Sequence, residues 1–178
     1  MSYSYNNEMD QITDTIWLGN FEASRNTKNL KREGITKVLS VMDYAPQVNV
    51  GMQKIVDVLD TPTTNIIQYF GECLQFIEGK EKILVHCWSG ASRSSTIVIA
   101  YVMWKWKLSA DDAFNYVFLK RTGINPNPGF KQQLKIFEKL LRDNQYDINK
   151  IDFYFIDWNM NILKNINQLN QKLLKLNN

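Results

Sequence analysis

Residues 83–94 read ILVHCWSGASRS, and the order of residue types in this stretch narrows both the fold and the chemistry of the chain. The apolar residues Ile83 to Val85 are typical of a buried strand, and the apolar run from Ser95 to Trp104 is typical of a helix. A strand, a tight loop and a helix N-terminus together form a site for an anion. Unpaired backbone N–H groups converge there, and the helix dipole adds positive potential.

The loop also carries a nucleophile and a phosphate-binding cation. Helix N-termini and neighbouring cations favour the thiolate form of a cysteine, so we expect Cys87 to be a nucleophile. The planar guanidinium of Arg93 can hold two oxygens of one phosphate, which a lysine cannot do. Ser94 can donate a hydrogen bond to the sulfur. The small loop residues let backbone N–H groups point inward, so we expect phosphate to bind to Trp88, Ser89, Gly90, Ala91, Ser92 and Arg93.

Three further side chains near the loop have a role that the sequence suggests or leaves open. We expect His86 to orient the loop through hydrogen bonds, because a thiolate needs no base. Trp88 either lines the mouth of the pocket or packs beneath the loop. Cys73 either packs in the core or traps an oxidised Cys87 as a disulfide.

The pattern His86-Cys87-x-x-Gly90-x-x-Arg93-Ser94 resembles the signature loop of cysteine-dependent protein phosphatases, specifically the dual-specificity group. The resemblance runs from about residue 10 to residue 142. It implies hydrolysis of phosphotyrosine and of phosphoserine or phosphothreonine through a phosphocysteine intermediate, with no metal or other cofactor. The other segments similar to the family are residues 16–20, 34–41, Tyr69-Phe70, Phe76-Ile77, 125–130 and Gln133-Leu134.

The family resemblance also implies a general acid, because an alkoxide leaves phosphorus poorly without a proton. The family supplies an aspartate from the loop that precedes its Tyr-Phe helix. Asp60 lies six residues before Ile66, the spacing expected for that acid, whereas Asp57 falls within a predicted strand and remains the alternative. By the same resemblance, Asn127 hydrogen-bonds the loop. Arg121 either pairs with an acidic residue or binds an anion.

The hydrophobic pattern predicts an α/β fold. Strands and helices alternate, which favours a central, mostly parallel sheet flanked by helices on both faces, with Cys87 at the carboxyl end of a strand. The predicted strands are residues 12–18, 38–41, 55–59 and 83–85. The predicted helices are residues 24–33, 65–78, 92–107, 110–120 and 130–143.

We divide the chain into a flexible N-terminus at residues 1–11, a catalytic domain at 12–145 and a C-terminal amphipathic helical extension at 146–178. Apolar residues recur at three- and four-residue spacing between Trp158 and Leu176, which predicts the helix. We expect it to dock on the domain or to pair with a second copy through residues 158–176. A helix that lies on a membrane surface or binds a partner is the alternative.

Composition limits the partners and the location. A net charge of +3 is far from that of a typical nucleic-acid-binding protein, so we expect no nucleic acid partner. The family resemblance implies phosphorylated proteins as partners. No apolar run approaches 18 residues, so we expect no membrane span. The two cysteines do not form the disulfide framework of a secreted protein, and the N-terminal residues do not resemble a signal peptide. We therefore expect a cytoplasmic protein, or one that is also nuclear.

Two other functions are alternatives. A phosphoinositide or RNA 5′-phosphatase often carries extra lysines or arginines in this loop, and Trp88, Ser89, Ala91 and Ser92 supply none. A non-catalytic phospho-binding module would usually have lost the cysteine, the arginine or the acid, and this chain has candidates for all three.

Overall fold

A computed structural model describes residues 8–156, which form a five-stranded sheet with helices on both faces. The strand order is β1-β2-β5-β3-β4, with β1 antiparallel to β2 and the remaining neighbours parallel. The predicted α/β class and the mostly parallel sheet are confirmed. The strands are β1 (Met9–Gln11), β2 (Ile16–Gly19), β3 (Ile35–Val41), β4 (Met52–Val56) and β5 (Lys82–His86).

Six α-helices connect or follow these strands in the described part of the chain. Short 3₁₀ turns lie at Ile67–Tyr69, Ile148–Lys150 and Phe153–Phe155. The helices are α1 (Phe21–Arg25), α2 (Thr27–Glu33), α3 (Phe70–Ile77), α4 (Arg93–Trp106), α5 (Ala110–Lys120) and α6 (Pro128–Asp143). None of the helices between residues 8 and 156 is long and apolar enough to cross a membrane.

The two faces of the sheet are covered by different helices. Successive side chains of β5 point to opposite faces, so they show which helices cover each face. Ile83 and Val85 point into the larger core, which contains residues of α3 to α6, whereas Leu84 points into a smaller core that includes Ala23 and Leu30 of α1 and α2. Helix α4 lies in the larger core and is buried from Arg93 to Met103. Both β5 and α4 lie in the centre of the fold, so the loop between them is held at both ends by buried elements.

Several element boundaries differ from those predicted. The strand predicted at 12–18 is the shorter β2, at Ile16–Gly19, and it pairs with a strand that was not predicted, β1, so Met9 to Gln11 belong to the sheet rather than to a flexible N-terminus. The helix predicted at 24–33 is two helices, because the Asn26 side chain caps α2 by accepting from the Asn29 N–H. The strand predicted at 55–59 ends at Val56. The helix predicted at 65–78 begins as a 3₁₀ turn.

The chain after α6 packs on the domain for at least ten residues. Ile148 and Ile151 are buried, and the ring of Phe153 covers Gly71, where an added Cβ would lie 2.7 Å from that ring. The folded unit therefore extends past residue 145 to Ile156. The amphipathic helix predicted over residues 158–176 lies outside the described residues.

Candidate active site

The loop between β5 and α4 takes a conformation that requires glycine at one position. Gly90 has a φ of 68°, in the left-handed region, and a Cβ there would lie 2.5 Å from the Gly19 carbonyl oxygen at the end of β2. Glycine thus lets the loop close against the neighbouring strand. The loop backbone is also held from the other side, because the Asn125 N–H donates to the Ala91 carbonyl over 2.7 Å.

Cys87 lies at the base of this loop and is completely buried. Its Sγ accepts a hydrogen bond from Ser94 Oγ, 3.1 Å away in the first turn of α4. Ser92 occupies the N-cap position of α4, but its side chain makes no capping bond. The first-turn N–H groups of the helix are therefore left without a side-chain cap beside the sulfur, as an anion site requires.

His86 lies at the end of β5, with one ring nitrogen facing the loop backbone and the other facing β3. Its Nδ1 lies 3.3 Å from the Cys87 carbonyl oxygen, and its Nε2 lies 2.7 Å from Ser40 Oγ. A carbonyl can only accept, so Nδ1 carries the proton and Nε2 accepts from Ser40. Burial lowers the pKa of His86 to about 4, partly opposed by the hydrogen bond to the Cys87 carbonyl. This arrangement fits the expected orienting role and not a general base.

Arg93 is buried, and its Nη1 donates hydrogen bonds to two groups of the protein. Nη1 donates to Asp43 Oδ1 over 3.0 Å and to the Val58 carbonyl over 3.1 Å. Nε is buried without a hydrogen-bond partner in the described residues, and Asp60 Oδ2 lies 3.6 Å from it. A buried donor without an acceptor is costly, so this atom is suited to an oxygen of an incoming anion.

Asp60 reaches the loop. Its Oδ1 accepts two hydrogen bonds, from Ser92 Oγ over 2.7 Å and from Asn127 Nδ2 over 2.9 Å. The structure thus brings together Asp60, Arg93 and Asn127. Asp57, the alternative, is exposed just after β4. Burial and then the charges of Glu72 and Asp57 raise the pKa of Tyr69, which places Asp57 near that phenol.

The comparisons with known proteins agree with this geometry. Residues 16–140 match the family model described as dual specificity phosphatase, catalytic domain. The chain is 39% identical over 136 residues to dual specificity protein phosphatase 22 of Mus musculus, which covers 74% of each chain. It is 37% identical over 138 residues to that of Homo sapiens, which covers 75% of each. The crystal structure of DUSP15 superposes with a TM-score of 0.72 at 33% identity, over 81% of this chain and 97% of that one.

The chain belongs to the dual-specificity phosphatase family. These matches confirm the family and the protein phosphatase activity that the sequence predicts.

Trp88 of this phosphatase lies on the rim of the site. Its side chain is 60% exposed, and its ring lies 4.9 Å from the ring of Phe21, tilted by 32°. The Phe21 N–H donates to the Trp88 carbonyl over 3.0 Å. Arg25 stands over the ring of Phe21 at 5.6 Å. Of the two positions that the sequence leaves open, an exposed position beside α1 agrees with the mouth and not with packing beneath the loop.

Arg121 connects the phosphatase loop to β1. Its Nε donates to the Gly90 carbonyl over 3.2 Å, and its Nη1 pairs with Asp10 of β1. This is the pairing with an acidic residue that the sequence suggested as one alternative. The bond to Gly90 and the pair with Asp10 link the loop to the hairpin of β1 and β2.

Cys73 is a free thiol in the larger core. Burial raises the pKa of Cys73 well above its ordinary value, and the charge of Glu72 adds to the effect. A buried neutral thiol is a poor nucleophile, so the environment of Cys73 is that of a packing residue. Within residues 8–156, no three side chains of His, Cys, Asp or Glu are grouped as metal ligands would be.

Sequence reasoning missed two residues that hold the phosphatase site. Ser40 lies at the carboxyl end of β3 beside His86 and is fixed by Gln53, whose Nε2 donates to Ser40 Oγ over 3.2 Å. Asp43 follows the same strand and pairs with Arg93. Both residues could have been found from their position at the end of β3, because the carboxyl ends of neighbouring parallel strands meet at one edge of a sheet.

Proposed function

We propose that this phosphatase hydrolyses phosphotyrosine and phosphoserine or phosphothreonine in proteins through a phosphocysteine on Cys87. The observation that carries the proposal is the convergence on one loop of a buried cysteine, a buried arginine and a carboxylate. Cys87 supplies the nucleophile, Arg93 binds the phosphate and Asp60 supplies the proton. These are the three roles that phosphoryl transfer to a thiolate requires.

In the first step, Cys87 Sγ attacks phosphorus in line with the leaving oxygen. The S–P bond forms while the P–O bond breaks, and the electron pair on the departing oxygen takes a proton from Asp60. The backbone N–H groups at the start of α4 and Arg93 Nε hold the non-bridging oxygens. These donors are already in place, so they stabilise the developing charge with little reorganisation.

In the second step, Asp60 takes a proton from water, and the water oxygen forms a new bond to phosphorus. The S–P bond breaks, and the electron pair stays on sulfur. Ser94 Oγ, 3.1 Å from Sγ, donates its hydrogen bond to the sulfur and so stabilises the departing thiolate. Inorganic phosphate and the free enzyme result.

Replacement of the nucleophile tests the mechanism. We expect Cys87→Ser to abolish turnover of p-nitrophenyl phosphate and to keep binding of inorganic phosphate, because serine leaves the N–H groups and Arg93 in place. Cys73→Ala is the matched control, since it removes the other thiol from the core away from the loop, and it should keep turnover. Activity that survived Cys87→Ser would contradict the mechanism.

No structural observation favours the alternative functions. The side chains at Trp88, Ser89, Ala91 and Ser92 add no cation for a second phosphate, which a phosphoinositide or RNA 5′-phosphatase would need. A substrate panel compares phosphate release from phosphotyrosine peptides, phosphothreonine peptides and phosphoinositides. Release from both peptide classes supports dual specificity, whereas tight peptide binding without release would support a non-catalytic module.

We propose phosphorylated proteins as the partners and the cytoplasm, with the nucleus as a further site, as the location. A reactive thiolate favours a reducing compartment, which supports this location. Self-association or partner contact through residues 158–176 remains a proposal from the apolar spacing of the sequence. Sedimentation of the full chain and of a chain ending at Ile156 would show whether this segment drives association.

A further inference from the structure

Trp88 is the one bulky side chain in the loop between Cys87 and Arg93. The four loop residues that follow it are small: Ser89, Gly90, Ala91 and Ser92. Trp88 is 60% exposed, although the nucleophile beside it is completely buried. A large aromatic ring left in water at a binding site is typical of a residue that a bound partner covers.

The ring of Trp88 packs against α1. Its centroid lies 4.9 Å from that of Phe21, with a tilt of 32° between the rings. Phe21 is the first residue of α1, and its N–H donates to the Trp88 carbonyl over 3.0 Å. The Asn20 side chain caps the same helix by accepting from the Ala23 N–H over 2.9 Å. Ring and backbone contacts thus hold Trp88 in place, so it loses little conformational freedom when a ligand covers it.

The sheet fixes α1 relative to the phosphatase loop. Strand β2 pairs in parallel with β5, and Gly19 at its end lies opposite His86. The guanidinium of Arg25, one turn after Phe21 in α1, lies 5.6 Å from the centroid of the Phe21 ring. The rings of Trp88 and Phe21, which we call the aromatic ledge, therefore form a preformed apolar surface at one edge of the site.

The position of the aromatic ledge indicates that the substrate polypeptide covers it. The loop encloses one phosphate group, so the residues that flank the phosphorylated residue must lie across the rim of the loop. Trp88 directly follows Cys87, which places its Cα about 3.8 Å from that of the nucleophile. A substrate side chain next to the phosphorylated residue therefore reaches the ledge. The two rings favour an apolar neighbour, because a charged side chain would lose hydration there.

We propose that Trp88 is a specificity-determining residue that, together with Phe21, binds an apolar side chain adjacent to the phosphorylated residue of a protein substrate. This inference rests on the proposed function and deepens it, because it names a feature of the substrate sequence that the site selects. The indole ring acts on the neighbouring residue of the substrate, whereas the loop backbone and Arg93 act on the phosphate.

Peptides that differ at one flanking position test the inference. A phosphotyrosine peptide with glycine on both sides is compared with peptides in which leucine replaces one glycine, up to two residues before or after the phosphotyrosine. We expect the wild type to favour leucine by about tenfold in kcat/KM at one of these positions, the gain from covering one leucine side chain. In Trp88→Ala this ratio should fall to about twofold or less, because alanine offers little apolar surface.

Matched variants separate recognition of the neighbouring residue from a change in the loop. Trp88→Phe keeps an aromatic ring and should keep most of the leucine preference. Phe21→Ala removes the ring that holds Trp88 and should lower the preference in part. Trp106→Ala removes another tryptophan, 41% exposed, whose ring packs on Tyr116 of α5, and it should keep the wild-type ratio.

The ratio of the two peptides is read within each variant, so a variant with lower overall activity still gives a result. Equal kcat/KM for leucine and glycine peptides in the wild type would overturn the inference and leave the proposed function standing. A leucine preference that survives in Trp88→Ala would overturn the role of Trp88. A wild type that turns over neither p-nitrophenyl phosphate nor any peptide would overturn the proposed function instead.

Discussion

The His86 imidazole shows how a single buried side chain couples the site to the stability of the whole protein. The ring sits between Ser40 and the Cys87 carbonyl, where a positive charge is poorly solvated. Burial is the largest cause of its lowered pKa, about 4 against 6.5 for the ordinary side chain. The neutral ring is thus part of the folded loop, and its protonation opposes folding.

This shift predicts a pH dependence with a definite sign. Between pH 6.5 and 4 the unfolded chain binds a proton at His86 that the folded chain does not, so stability is present above pH 6.5 and is lost as pH falls toward 4. From pH 7 to pH 5 the free energy of unfolding should fall by about 2 kcal/mol on this account. Urea unfolding of the wild type and of His86→Gln at several pH values measures it.

The control for this prediction is simple because the sequence contains one histidine. The pH slope between 6.5 and 5 should be smaller in His86→Gln, whatever that variant's stability at neutral pH. The imidazole proton resonances of the folded wild type should also stay at their neutral positions down to pH 5. An equal slope in both proteins would show that His86 is protonated in the folded state.

At the scale of elements, the connection from β5 to α4 depends on close backbone approach. Gly90 and Gly34 both have positive φ, 68° and 72°, but their surroundings differ. A Cβ on Gly90 would meet the Gly19 carbonyl oxygen at 2.5 Å, whereas a Cβ on Gly34 would meet only Lys82 Cδ at 3.7 Å. A substitution at Gly34 therefore introduces backbone strain alone, whereas a substitution at Gly90 introduces the same strain together with a steric clash.

Alanine substitutions test this difference. Gly34→Ala should cost about 1 kcal/mol of stability, the strain of a left-handed non-glycine residue, and should leave turnover of p-nitrophenyl phosphate unchanged. Gly90→Ala carries the same strain and must also push the loop away from β2, so it should lower both the thermal midpoint and kcat/KM. Equal stability losses with full activity in both variants would mean that the loop adjusts freely at Gly90.

The elements differ in how well the sequence predicted them, for a physical reason. The loop with Cys87 and Arg93 is local in the chain, and the residue types needed to bind phosphate are specific, so both the loop and its flanking strand and helix were predicted. The link between Ser92 and Asp60 and the pair of Asp43 with Arg93 join residues 32 and 50 positions apart. Contacts of this kind depend on strand order and on how closely α6 approaches the acid loop, which periodicity does not contain.

At the scale of the whole molecule, the boundary of the folded unit is set by packing rather than by the end of α6. Hydrophobic spacing predicts that the last core helix ends near residue 143, and α6 does end at Asp143. The chain then turns back over α3, where Ile148 and Ile151 are buried and Phe153 covers Gly71. Trp104 Nε1 also donates to the Tyr146 carbonyl over 3.0 Å. Apolar residues in short 3₁₀ turns have no regular period, so this return segment was not predicted.

Two shortened chains test whether this return segment belongs to the catalytic unit. A chain ending at Gln145 exposes the surface that Ile148 and Ile151 cover, and the loss of two buried isoleucines should cost about 3–6 kcal/mol relative to a chain ending at Ile156. This is a large fraction of the 5–15 kcal/mol that stabilises a typical domain, so the shorter chain should unfold at much lower urea concentration or fail to fold. Both chains contain the complete loop, Asp60 and α6. Equal unfolding midpoints would place the boundary at residue 145, whereas a lower midpoint for the shorter chain makes residues 146–156 part of the core that holds α3 against the sheet.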